Sequence, residues 1–285
     1  MLSEAYITKY FAGSDAVISE PMDLSLVISA GTFMYAVSAN NFKNVVELCH
    51  VQLGDPGNQA YDLTERVSFL VQNYFLNRKK FQKVNISFLN SDFTMVPEAY
   101  AEQDLVKPFL KFATGAGQVK NLMQHQVNGM KFCFTPNTDL SSYLERTFSN
   151  ASIKHAGAVT INLLFSQHAL KSCNLFLNIH DDVIELAAKE TNNLLFYNVF
   201  NYSTSEDILY YLLFMMEQFA LNPLYARLCI GGQKPAGDEL IQNIKKYIKQ
   251  VDLCVPDPSV TLEGELGQLP KHYYFTLLNQ HLCEL

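Results

Sequence analysis

Two stretches of the chain carry the same alternation of apolar and polar positions. Leu24–Val51 (LSLVISAGTFMYAVSANNFKNVVELCHV) opens with an apolar run and turns at Ser29–Thr32. An alternating run follows, with Phe33, Tyr35 and Val37 on one face, then an Asn-containing turn and a third apolar run. The pattern returns at Cys173–Phe200 (CNLFLNIHDDVIELAAKETNNLLFYNVF), with a turn at Asn178–Asp181 and Ile184, Leu186 and Ala188 alternating after it. Side chains on a strand point to opposite faces with a period of two, so each stretch predicts a three-stranded meander. The offset reads as 178 − 29 = 149 residues, about half the chain. A meander repeated at that distance predicts two related lobes facing one another.

The segments between the meanders change period. Before Pro21 the pattern is that of a loose lead-in with one short strand or helix, and Gly54-Asp55-Pro56-Gly57 predicts a loop. Asp62-x-x-Glu65 can cap a helix whose face is Leu63, Val67, Leu70, Val71, Tyr74 and Phe75. Val84–Leu89 is the continuous apolar run of a central strand. Asp92–Val96 predicts a strand stopped by Pro97, and Glu98–Phe112 a helix broken at Pro108. Val119–Gln126 and Met130–Thr135 predict a hairpin through Asn128-Gly129. A helix opened by Asn137 or Thr138, a strand at Ser152–His155 and a helix at Ala158–Leu170 complete the first half. In the second half a helix runs from Thr204 to about Ala220, with Ser203 as cap and Glu206 closing the box. A strand at Ala226–Ile230, a helix at Asp238–Val251, a strand at Asp252–Val255 and a terminal helix from Pro270 follow. Both halves thus read strand-strand-strand-helix-strand-helix, giving a first lobe over 22–170 with an inserted strand-helix region and a second over 171–285.

That duplicated order resembles the ribonuclease-H-like, actin-like ATPase fold over roughly Met22–Leu285. Ser29-Ala30-Gly31-Thr32 stands where that superfamily carries D-x-G-T or similar. Gly231-Gly232, after Leu228-Cys229-Ile230, stands at its glycine-rich late strand-to-helix turn. Met130–Phe165 looks like the strand–helix–strand–helix run of the pilus-assembly and cell-division members. The whole chain is also similar to a bacterial family of unknown function that has this fold, and no activity comes with that similarity. The resemblance implies an α/β architecture of duplicated lobes, mixed sheets with helices. It also implies a cleft for ATP and magnesium lined by Ser29, Gly31, Thr32, Asn178, Asp181, Gly231 and Gly232.

The departures from that pattern change the expectation. Active members place an aspartate in each phosphate turn, and here Ser29 and Asn178 stand at those positions. Neither side chain can neutralise a divalent ion or act as a general base. The second turn reads His180-Asp181-Asp182 where glycines would let backbone N–H groups close on phosphates. Asp-Asp at such a turn is first of all a turn former, so no metal site is assigned to it. Gly231 and Gly232 are expected to serve backbone angles before any adenine. The expectation is therefore a vestigial cleft that takes no cofactor.

Composition excludes other classes. The chain has 285 residues, 48% hydrophobic and 17% charged, enough apolar material for a large core and too little charge for disorder. Its net charge is −7 and nothing forms a basic stripe, so no nucleic-acid surface is expected. The longest apolar run, Ile208–Met216, is about half the length that spans a bilayer. MLSEAYITKY carries no secretory pattern, so a cytoplasmic protein is expected. The six cysteines form no C-x-x-C pair and read as buried free thiols. There is no P-loop, no G-x-S-x-G and no H-E-x-x-H. Tyr202, Tyr210, Tyr211 and Tyr273–Phe275 read either as packing or as a partner-binding surface. The expectation is a non-catalytic interaction or scaffolding protein with a protein partner. The alternatives are an ATP-binding switch with little hydrolysis, and an enzyme acting on another substrate through the cleft.

Overall fold

In the computed structural model the described residues are 6–13, 21–53, 62–101, 103–115, 119–166, 170 and 173–283. The loop expected at Gly54–Gly57 lies outside them. The first meander forms as β2 (Met22–Ile28), β3 (Thr32–Ala39) and β4 (Asn44–Leu53), paired antiparallel. Next to β2, β5 (Phe81–Phe88) pairs in parallel, and β9 (Ala151–His155) pairs in parallel with β5. The outer edge of β4 is covered by β1 (Tyr6–Gly13), antiparallel, and by β15 (Thr261–Leu262), parallel. The second meander is β10 (Leu175–Ile179), β11 (Val183–Glu190) and β12 (Asn193–Asn201). It is extended in parallel by β13 (Arg227–Gly232) and β14 (Gln250–Leu253). The order β4-β3-β2-β5-β9 of one sheet is therefore repeated by β12-β11-β10-β13-β14 of the other.

Helices cover both faces of each sheet, which is why all eight residues of β3 are buried. On the outer face of the first sheet lie α1 (Leu63–Asn73) and α3 (Thr138–Thr147), packed through Val67, Leu70, Leu140 and Leu144. On the outer face of the second lie α5 (Ser205–Gln218) and α6 (Glu239–Tyr247). Between the sheets sit α4 (Ala156–Phe165) and α7 (Phe275–Asn279). Both are largely apolar and buried on nearly every side, as a helix sandwiched between sheets must be, with Thr160 and Thr276 among their few polar positions. Leu277 and Leu278 of α7 pack on Val27, Met34 and Ala36 of the first sheet. Thus the chain's last described segment returns to the first lobe after completing the second. The insertion folds as β6 (Phe93–Pro97), α2 (Gln103–Thr114), β7 (Met123–Val127) and β8 (Met130–Phe134). Its hairpin turns on Asn128 (φ 47°) and Gly129 (φ 74°), both left-handed as the predicted turn requires.

Several local expectations shift. The box on α5 is made by Thr204 and Asp207, one residue beyond the predicted pair. Asp207 reaches back to the N–H groups of Ser203 and Thr204 (2.9 and 2.8 Å), which the longer Glu206 one position earlier does not. The terminal helix begins at Phe275, not Pro270, and α6 ends at Tyr247, ahead of β14 at Gln250, short of the predicted Val251. Cys173 and Cys229 pair as a disulfide with Cα atoms 5.9 Å apart, correcting the expectation of free thiols for these two. Cys49, Cys133, Cys254 and Cys283 are free and buried. The repeat offset also changes along the meander. Third strands begin at Asn44 and Asn193, so 193 − 44 = 149 residues separate them. Across the first turns Ile28 faces Phe33 and Ile179 faces Ile184, so there the offset is 179 − 28 = 151. The difference arises because Asn40–Lys43 joins β3 to β4 while only Thr191-Asn192 joins β11 to β12.

His155 shows how the packing is specified at the start of α4. Its Nδ1 accepts the Gly157 N–H (2.9 Å) and its Nε2 faces the Asn90 carbonyl (3.0 Å), so the neutral ring has both nitrogens satisfied. Burial among Phe93, Phe132 and Phe134 pushes its pKa down to about 4. The unfolded chain takes up this proton near pH 6.5 and the folded chain only near 4, so stability falls as pH is lowered through that window. We expect a loss of about 3 kcal/mol from this group. His155→Asn keeps a cap acceptor and cannot titrate; urea unfolding at several pH values should show a shallower acid slope, and an unchanged slope contradicts the assignment.

Candidate functional site

The first phosphate-turn equivalent, Ser29–Thr32, joins β2 to β3 and closes on a bond from the Ser29 N–H to the Thr32 carbonyl (2.9 Å). The second joins β10 to β11 and closes in the same way, from the His180 N–H to the Val183 carbonyl (2.9 Å). By this register the counterpart of Ser29 is His180, and that of Gly31 is Asp182. Asn178, read from sequence as the counterpart of Ser29, instead matches Val27, two residues earlier. The two-residue difference in offset is the reason.

The two turns meet. Asp182 accepts the Ser29 hydroxyl on one carboxylate oxygen (2.8 Å) and the Gly31 N–H on the other (2.9 Å). Asp181 accepts the Thr32 hydroxyl (3.2 Å) and lies 2.7 Å from Nε2 of His50, which projects from β4. The other nitrogen of His50 faces the side-chain amide of Gln233 (2.5 Å), just beyond β13. With the amide nitrogen as donor to Nδ1, His50 is the Nε2–H tautomer and gives that proton to Asp181. Gly31 matters for sterics: a Cβ there would stand 2.7 Å from that of Asp182. Glycine permits close approach at this turn, but what approaches is the opposite turn. Tyr202 bonds the His180 carbonyl (2.6 Å), and burial together with Asp181 and Asp182 pushes its hydroxyl up to about 12.

Behind the turns lies a buried polar network on the inner face of the second sheet. Glu185, fully buried, accepts from Thr160 of α4 (2.8 Å), Tyr197 of β12 (3.0 Å) and Asn178 of β10 (2.8 Å). His180 stands 2.9 Å away. Burial opposes its charge, yet His180, Thr160 and Asn178 hold its pKa below the ordinary value. Asn178 also donates to Thr276 of α7 (2.8 Å). The equivalent pair in the first sheet is Val27 and Met34, which meet α7 through apolar contact. Gly231 and Gly232 close the rear: a Cβ on Gly231 would meet Asn178 at 2.9 Å, and one on Gly232 (φ +95°) would collide with the Ile179 backbone.

Of the residues singled out in the sequence, Ser29, Gly31, Thr32 and Asp181 come together at the turn contact. Asn178, Gly231 and Gly232 lie beneath it as packing. The sequence reading passed over His50, Glu185, Gln233 and Thr276. Glu185 alternates with Ile184 and Leu186 and so reads as the solvent side of a two-layer sheet; only the covering by α4 reveals its burial. The fold implies ATP and magnesium at this place, and the residues present do not fit them. The donors a phosphate would need are taken by Asp182, two carboxylates face the same space, and hydroxyl, imidazole and N–H donors surround those carboxylates. The cavity beside Thr32, His50, Asn178 and Asp181 is about 10 Å³, roughly one water. Among the described residues no group of three or more His, Cys, Asp and Glu side chains is placed to hold a metal ion.

Known structures share this architecture. A Bacteroides thetaiotaomicron protein with actin-like ATPase fold and unknown function is 20% identical, with TM-score 0.69, over 85% of this chain and 94% of that one. The PilM-PilN type IV pilus biogenesis complex contains a chain that is 13% identical, with TM-score 0.66, over 91% of this chain and 97% of that one. These likenesses establish the actin-like ATPase fold and nothing finer. No curated protein matches the sequence. No helix of the described residues is long and apolar enough to cross a membrane. The model of the family described as "Protein of unknown function (DUF3822)" matches residues 14–251, well over half of the sequence, and the chain belongs to that family.

Proposed function

We propose that this protein is a non-catalytic interaction module built on an actin-like fold, working through a protein partner and not through a nucleotide cycle. The observation that carries it is the Asp182 carboxylate bonded to Ser29 and Gly31, in the seat a phosphate would take. The hydrogen bonds of Asp181 to Thr32 and His50 support it, because they draw the two lobes together across the same cleft. Neither Ser29 nor its counterpart His180 supplies the carboxylate that would orient an attacking water. The likeness to a chain solved in the PilM-PilN complex, itself a protein–protein assembly by its description, favours a protein partner.

Titration of the purified protein with Mg-ATP tests this reading. A ligand selective for the folded state raises the melting temperature by mass action, so no saturable shift and no phosphate release above background are expected. A saturable shift, or turnover abolished by Thr32→Ala, overturns the proposal. The contact itself has a second measurement. Asp182→Ala removes two bonds to a charged acceptor and should lower unfolding free energy by about 1–3 kcal/mol in urea. A neutral result means the turns are held by other groups.

A further inference from the structure

The two halves of the molecule treat one equivalent strand differently. In the first lobe β4 is covered along its outer edge by β1 and β15. Tyr6 of β1 stacks on Phe69 of α1 with ring centroids 5.7 Å apart, and the Thr8 hydroxyl meets that of Tyr74 (3.3 Å). In the second lobe β12 is the counterpart of β4, and among the described residues it pairs only with β11. Among the described residues no backbone hydrogen bond from another segment reaches its outer edge. Apart from the Val199 N–H, which bonds the Asn198 side chain (2.9 Å), the outer edge of β12, with Leu194, Leu195, Phe196 and Phe200 half-buried, offers backbone groups that another strand can pair with.

Beside that edge α5 carries an aromatic stripe that is turned outward. Tyr210 is 60% exposed and Phe214 46% exposed, and their rings stack at 5.7 Å. Phe200 of β12 stacks on Tyr211 at 4.5 Å, and Phe196 meets Phe219 at 5.6 Å, so strand and helix make one continuous surface. The segment that forms this surface is acidic, with the cations Lys189 and Arg227 flanking it. Residues 190–226 contain Glu190, Glu206, Asp207 and Glu217 and no lysine or arginine. A second copy of this chain would set these acids against one another, whereas a basic segment would be complemented.

We propose that the edge of β12 and the Tyr210–Phe214 stripe of α5 form a docking site for an extended, basic segment of a partner protein, which adds to the second sheet as an antiparallel strand. Backbone bonds supply pairing, alternate apolar side chains rest on the α5 aromatics, and lysines or arginines meet the acidic rim. The first lobe already contains this arrangement in β1, whose sequence YITKYFAG holds three aromatic residues, one lysine and no acid. The proposal rests on the reading of the chain as an interaction protein, and it names the chemistry of the partner.

The probe is a synthetic peptide in which lysines alternate with valine and phenylalanine, with a twin carrying glutamate for each lysine. Mixed with the full chain, the lysine peptide should slow amide hydrogen exchange in β12. It should bind about tenfold tighter than its twin, and weaken as salt rises. Tyr210→Ser with Phe214→Ser should cut its affinity about tenfold while leaving the melting temperature unchanged. Equal binding of the two peptides, protection confined to another element, or no binding at all overturns the proposal. So does a concentration-dependent dimer that Tyr210→Ser abolishes, since a second copy would then be the occupant. ATP binding in the cleft would defeat the non-nucleotide reading and leave protection of β12 unaltered, so the two failures are told apart.

Discussion

The contact of Asp182 with the Ser29 hydroxyl and the Gly31 N–H governs what this molecule can do, because a turn rich in donors at the centre of the fold has to be satisfied. An N–H left without a partner there would cost about 1–3 kcal/mol. In the actin-like architecture such a turn can be satisfied by a ligand from solution or by a group from the protein. Here an aspartate three residues beyond the end of β10 does so, at charge-assisted distances of 2.8 and 2.9 Å. An incoming anion would have to displace a tethered carboxylate whose effective concentration is high. It would also meet the repulsion of Asp181.

What stands behind that contact makes it hard to relax. Glu185 is fully buried and takes bonds from α4, β10 and β12, while Asn178 carries the network on to α7. The turn bearing Asp181 and Asp182 thus springs from two strands whose inner faces are fixed to the helices between the sheets. A buried charge with one partner removed is strongly destabilising, which makes such a network intolerant of half-measures. The corresponding positions in the first lobe, Val27 and Met34, meet the same layer by apolar packing alone. Duplication has therefore kept the geometry of the layer while letting the two lobes hold it by different chemistry.

Much of this was legible in the chain. Period-two alternation with two tight turns gave both meanders, and repetition of the order gave the two lobes, because these signals are local and the sequence repeats them. What escaped depends on contacts that sequence spacing does not carry. The counterpart of Ser29 was placed at Asn178 instead of His180, since a two-residue difference in a later connection shifts the apparent repeat. His50 lies between Cys49 and Val51 in an apolar strand and becomes polar in role only when Asp181 arrives from 131 residues away. Glu185 was passed over because alternation reports which face a side chain takes, not what covers it.

The packing of α7 on the first sheet has a consequence for biosynthesis. The inner face of the first sheet, with Val27, Met34 and Ala36, is covered by Leu277 and Leu278. Ser87 on the same sheet bonds Gln280 (2.7 Å). None of these partners exists until about 240 residues have been added after Ala36. At about 5–20 residues per second, that face waits on the order of 10–50 s for its cover. The inner face of the first lobe therefore cannot be closed before the second lobe has been made, which ties the folding of the two lobes together.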